Sequence, residues 1–110
     1  MSESFRRGHL VLQPDVGRVS WKGVEVDLTV SELKLVVLIA SNVDRYVPYR
    51  ELYDGIHYEG FMAGSGEHGY RANVRSSIKR IRNKFRQCDP TFNEIRNCTG
   101  FGYCWGKSSQ

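Results

Sequence analysis

The sequence predicts an α+β fold: an antiparallel sheet over residues 5–28, three helices over 29–86 and a C-terminal β-hairpin over 92–105, together making one domain, 1–110. Three observations carry this. Residues Phe5 to Leu28 alternate apolar and polar side chains in the period-two manner of strands. Tyr70 to Arg86 returns to an apolar residue at every third or fourth position, the period of a half-buried helix. "FNEIRNCTGFGYCW" sets Ile95, Cys98 and Phe101 to Trp105 around a Thr-Gly turn signal. With 110 residues, 40% hydrophobic and 25% charged, the chain builds a single core without metal or disulfide and leaves no room for a second domain.

In the N-terminal zone Leu10 and Leu12 flank Val11, Val19 and Trp21 flank Ser20, and Val24, Val26 and Leu28 are separated by acids. "QPDVG" and "WKGV" are turn signals short enough for a meander. Such a sheet needs a cover for its apolar face. In "LTVSELKLVVLIASN" Thr29 precedes Glu32 by the capping-box spacing, and the apolar run behind it predicts a buried first helix. Pro48 suits the first position of a short second helix carrying Leu52, Tyr53 and Ile56, which should fail near Gly55. "EGFMAGSGEHG", Glu59 to Gly69, has four glycines and predicts an irregular loop. In the third helix Val74, Ile78, Ile81 and Phe85 fall within about 60° of one another at 100° per residue, forming a core seam. Tyr103 and Trp105 of the hairpin serve as large anchors, and Trp21 is a core aromatic as well.

Several functions are excluded on chemistry. The three cysteines, Cys88, Cys98 and Cys104, match no redox or zinc spacing and are expected reduced. Cys98 and Cys104 are placed on opposite arms of the hairpin, within reach of an incidental cross-link under oxidation. His57 and His68 lack paired spacing for a metal, so no metal and no cofactor is expected. Glu51 and Asp54 share a helix face without a partner for acid/base work, and "GSGEHG" lacks the Lys-Ser/Thr of a phosphate loop. The chain is not expected to be an enzyme. The longest apolar run, Leu35 to Ala40, is far short of the ~20 residues of a membrane span, and "MSESFRRGHL" is no signal peptide. A cytoplasmic protein without membrane contact is expected.

The charge pattern points to a polyanion. Tyr70 to Arg86 holds seven of the chain's 16 Lys+Arg and no acid. Ser76, Lys79, Arg80 and Asn83 lie opposite the apolar seam; Arg75, Arg82 and Arg86 line one flank and Asn73, Ser77 and Lys84 the other. A solvated cationic face is the plain alternative for an isolated helix. Here, however, a helix pair is followed by a hairpin, the winged helix-turn-helix order, in which the last helix enters the major groove of DNA and the hairpin, the wing, reaches the flanking backbone.

At these residues the chain resembles the C-terminal effector domain of OmpR/PhoB-type response regulators, and among these the ChvI-like group of alphaproteobacteria. "VEVDLTVSEL" resembles the strand and LTxxEF start of that family's first helix, "IKRIRNKF" its I-x-x-L-R-x-K-L signature, and "GFGYCW" its G-x-G-Y-x-F ending. The resemblance spans essentially the whole chain and implies a four-stranded N-terminal sheet, a three-helix core and a C-terminal wing. It implies a sequence-specific double-stranded DNA-binding transcription regulator, the output half of a two-component system, with a receiver domain or a homodimer on DNA as further partners. The alternatives are a protein-interaction module that docks RNA polymerase through Glu59 to Gly69, or a binder of structured RNA.

The residues expected at DNA are Asn73, Arg75, Ser76, Ser77, Lys79, Arg80, Arg82, Lys84, Thr99 and Gly100, with Phe61 and Met62 expected at RNA polymerase. Lys and Arg neutralise phosphates, while Asn73, Ser76, Ser77 and Arg80 read base edges. The resemblance places Arg80 at a position that faces bases and Arg82 at one that contacts the backbone. Ala72, Asn73, Val74 and Arg75 replace the family's usual Arg-Thr-Val-Asp series, Ser77 stands where His is frequent, and Thr99 and Cys104 occupy frequent basic positions. The family's usual base preferences therefore do not transfer.

Overall fold

The structure, a computed structural model, describes residues 5–42, 45–56, 66–98 and 100–106. Strands β1 (Phe5–Arg7), β2 (Leu10–Gln13), β3 (Arg18–Trp21) and β4 (Val24–Glu25) pair antiparallel in chain order. Leu10 faces Trp21 and Leu12 faces Val19 across the β2–β3 ladder, so all four side chains share the buried face. "QPDVG" becomes a 3-10 turn, Pro14–Val16, closed by Gly17 at φ 72°, a left-handed backbone that glycine adopts without a Cβ clash. The alternation beyond β4 persists as one bond, from Val26 N–H to Val19 O at 2.9 Å, which buries Val26.

Helix α1 (Val30–Ser41) starts at Thr29 with the expected capping box. Glu32 N–H donates to Thr29 Oγ1 at 3.2 Å and Thr29 N–H to Glu32 Oε1 at 2.9 Å. Its apolar residues Leu35, Val36, Ile39 and Ala40 are fully buried. α2 spans Tyr49–Ile56 and α3 Gly66–Cys88; the C-terminal hairpin is β6 (Ile95–Cys98) with β7 (Gly102–Trp105). Val74, Ile78, Ile81 and Phe85 of α3 are fully buried, as the helical seam requires.

Two expectations need correction. Pro48 does not open α2; it belongs to a two-residue strand, β5 (Val47–Pro48), that pairs with β7, so the wing sheet has three strands in the order β5-β7-β6. Proline lacks an N–H and is tolerated on such an edge. α2 runs to Ile56, next to Gly55 as expected, and a Cβ at Gly55 would strike Leu38 Cδ1, so the glycine also admits α1. α3 begins at Gly66, four residues before Tyr70, because each added turn residue gains a backbone bond that offsets about 1 kcal/mol of glycine propensity. The remainder of the glycine-rich segment, with Phe61 and Met62, lies outside the described residues, as does Thr99.

The sheet, helices and wing meet at Trp21. Its ring lies edge-on to Phe92 at 5.0 Å and to Phe85 at 6.0 Å, with Trp105 at 6.2 Å, while Phe85 and Phe92 stack at 4.4 Å. Trp21 Nε1–H donates to Asp89 Oδ2 at 2.8 Å, and Lys22 Nζ lies 3.0 Å from the same oxygen. Bonds from Trp21, Thr91 and Lys22 hold the Asp89 carboxyl well below the usual carboxylate range. Cys98 and Cys104 do sit on opposite arms, as free thiols with sulfurs 3.6 Å apart, and burial pushes the Cys104 thiol up to about 11.

Candidate nucleic-acid interface

With one side of α3 committed to the core, its outer side is fixed. Ala72, Arg75, Ser76, Lys79, Arg80, Asn83 and Arg86 are exposed, a continuous strip along the helix. No described acid pairs with Arg75 or Lys79. The strip therefore projects an uncompensated positive field, with Ser76 and Asn83 offering hydrogen bonds between the charges.

The expected contact residues divide into three groups. Arg75, Ser76 and Lys79 point outward, together with Arg80, whose side chain is 59% exposed. Asn73 is half-buried and already engaged within the protein. Ser77, Arg82 and Lys84 are turned to internal partners. Ser77 is buried, its Oγ accepting from Arg80 Nη2 at 3.2 Å, against the expectation that it faces a groove. Arg82 Nη2 donates to Ile95 O at 2.7 Å and to Asn97 Oδ1 at 2.9 Å, and Arg82 Nε to Ile95 O at 3.2 Å. Its guanidinium lies 5.6 Å from the Tyr103 ring centre, and burial lowers its pKa. Arg82 thus fastens α3 to the wing. Lys84 Nζ sits 2.7 Å from Glu32 Oε1.

Glu32 joins α1 to the basic helix in a way that the capping-box spacing alone did not disclose. It is 2% exposed and receives Lys84, Arg80 and the Thr29 amide on two oxygens. Burial raises its pKa, but the hydrogen bond and charge of Lys84, the Thr29 amide and Arg80 outweigh burial and hold it below its ordinary value. No sequence signal was available for this pairing: Arg80 and Glu32 lie 48 residues apart and no local spacing reveals it.

Strand β6 of the wing is tied to α3 through Arg82, and the wing turn is tied to the start of α2. Gly100 is exposed at φ 82°, and the turn is pinned by Phe101 N–H donating to Cys98 O at 2.8 Å and Tyr49 N–H donating to Phe101 O at 3.0 Å. Arg96 is exposed on β6. The arrangement is a cationic helix face flanked by a fixed hairpin, able to follow a phosphate backbone on one element and to enter a groove with the other. Among the described residues no three His, Cys, Asp or Glu side chains gather as a metal site, and no helix is long and apolar enough to cross a membrane.

Residues 23–105 match the family described as transcriptional regulatory protein, C terminal. The fold is similar to that of the DNA-binding domain of CpxR from E. coli, with a TM-score of 0.74 and 21% identity over 98% of this chain and 100% of that one. It is similar also to the RstA DNA-binding domain of Klebsiella pneumoniae in complex with the RstA box, with a TM-score of 0.73 and 18% identity over 94% and 97%. The response regulator DrrB of Thermotoga maritima, an OmpR/PhoB homolog, matches with a TM-score of 0.73 and 22% identity over 94% of this chain but 44% of that one.

Proposed function

The chain belongs to the family of C-terminal domains of transcriptional regulatory proteins, and on that premise we propose that it binds double-stranded DNA in a sequence-specific manner through the outer strip of α3, with the wing on the flanking backbone. The single observation that carries this is the strip itself: Arg75, Lys79 and Arg80 exposed on one helix face, with no described acid beside Arg75 or Lys79.

The finer assignments rest on the motif resemblance. On that resemblance the chain is the output half of a two-component response regulator in the cytoplasm, with a receiver domain or a second copy on DNA as its further partner. RNA polymerase is assigned to Phe61 and Met62, and the ChvI-like group to the sequence as a whole.

A mobility-shift titration with a randomised duplex pool tests the main assignment. Excess unlabelled duplex should displace the shifted species, and an equal mass of structured RNA should not. Displacement by RNA at lower concentration than by duplex would transfer the strip to RNA recognition.

A further inference from the structure

We propose that Glu32 and Ser77 are positioning residues that hold Arg80 with one edge of its guanidinium free to read guanine. The inference rests on the DNA reading above and adds both the base and the device.

Arg80 differs from the other cations of the strip. Arg75 and Lys79 have no described acid beside them, but Arg80 Nε donates to Glu32 Oε2 at 3.4 Å and Arg80 Nη2 to Ser77 Oγ at 3.2 Å. Both acceptors lie beneath the helix surface, at 2% and 5% exposure, and each is fixed by its surroundings: Glu32 by the capping box and Lys84, Ser77 by its place beside the core seam. A guanidinium has five N–H donors in a planar fork. Nε and the inner hydrogen of Nη2 form one edge of that fork, and the protein occupies it. Nη1 and the outer hydrogen of Nη2 remain, forming the end-on edge that faces away from α1.

Two parallel donors on that edge fit two adjacent acceptors. In the major groove guanine presents O6 and N7 as such a pair, whereas adenine presents one acceptor and one donor and would be repelled. A flexible lysine or unheld arginine bears the same charge without a fixed plane, so it serves phosphates. Because the plane is set before DNA arrives, less side-chain freedom is lost on binding, and the discrimination is not spent on ordering the arm.

The test begins by enriching duplexes from a randomised pool on the wild-type chain. One guanine should dominate a position, and replacing it by 7-deazaguanine, which lacks N7 but keeps O6, should weaken binding roughly 5-fold or more, with about 150-fold, the loss of the whole bidentate contact, as the ceiling. Arg80→Lys, which keeps the charge but removes the fork, should bind both duplexes alike. Ser77→Ala should narrow the gap between guanine and 7-deazaguanine while binding to unselected pool DNA, and its salt dependence, stay within about twofold. Glu32→Gln should do the same wherever a thermal melt shows it folded. Were the guanine preference absent, or undiminished in Ser77→Ala and Arg80→Lys, while pool DNA still bound, the positioning device would be overturned and DNA binding would stand. Failure to bind any duplex at low salt would overturn both.

Discussion

Glu32 shows how one side chain serves an element, a tertiary contact and a surface. Its oxygens close the α1 cap and pair with Lys84 at 2.7 Å and with Arg80 at 3.4 Å. Its pKa in the folded chain lies below the ordinary 4.5, since its partners outweigh burial. The stabilisation is therefore present above pH 4.5 and lost as pH falls through the folded value. Glu32→Gln should lower unfolding free energy at pH 7 by about 1–3 kcal/mol, less than a wholly buried pair, because Lys84 and Arg80 can regain water. Urea titrations of both proteins at falling pH should show the gap closing below pH 4.5; a gap independent of pH would mean that the carboxylate charge contributes nothing. Half of this residue was legible in the sequence. The Thr29–Glu32 spacing is local and gave the cap, whereas Lys84 lies 52 positions away and meets Glu32 only once α1 and α3 pack. Ser77 and Arg82 find partners inside the protein for a related reason: each lies about 70° from the seam centre, at the margin where neighbouring elements decide between core and solvent.

At the scale of elements, periodicity found what repeats and missed what does not. Strands β2 and β3, the capped helix and the α3 seam each repeat their pattern. β5 shows none, being two residues, Val47 and Pro48, recruited by β7. Its trace in the sequence is Gly102 rather than anything in β5. A Cβ at Gly102 would meet the Val47 carbonyl oxygen and the Pro48 Cα, both backbone atoms that cannot swing aside. Gly100, by contrast, has open space around the same position and needs glycine only for its φ of 82°. Gly102→Ala should thus cost at least about 2 kcal/mol by separating β5 from β7, and Gly100→Ala about 1 kcal/mol from backbone conformation alone. Thermal melts rank the two, and amide exchange at Tyr103 and Tyr49 reports whether the β5 contact opened. Equal losses with both amides still protected would show that β5 does not depend on close approach at Gly102.

For the whole molecule, internal pairing decides which of the charges act outward. The net charge is only +4, from 16 basic and 12 acidic residues. Lys22, Arg45, Arg50 and Lys84 are each matched to an acid, and Arg82 is spent on the Ile95 carbonyl. Exposed on α3 are Arg75 and Lys79 with no described acid beside them, Arg80 with one edge on Glu32, and Arg86 with its Nε on the Phe92 carbonyl at 3.1 Å; Arg96 is exposed on the wing. The sequence revealed the concentration of charge on this helix but could not sort these outward cations from Arg82 and Lys84, whose partners are set by tertiary packing. The sorting has a measurable consequence. Each phosphate neutralised contributes about 0.9 to the slope of log affinity against log salt, so four to five outward cations predict a slope of roughly −4 for one chain on duplex DNA. Replacing Arg75 and Lys79 together by Ala should reduce the slope by about two. Arg82→Ala should leave it nearly unchanged while lowering the melting temperature, since its guanidinium joins α3 to β6 rather than facing a phosphate. Fluorescence-anisotropy titrations at several salt concentrations, on unselected duplexes, separate the cases. If Arg82→Ala lowered the slope by a full unit and Arg75→Ala with Lys79→Ala did not, the DNA would lie nearer the wing-side margin of the helix, and Arg82 would leave Ile95 to bind it.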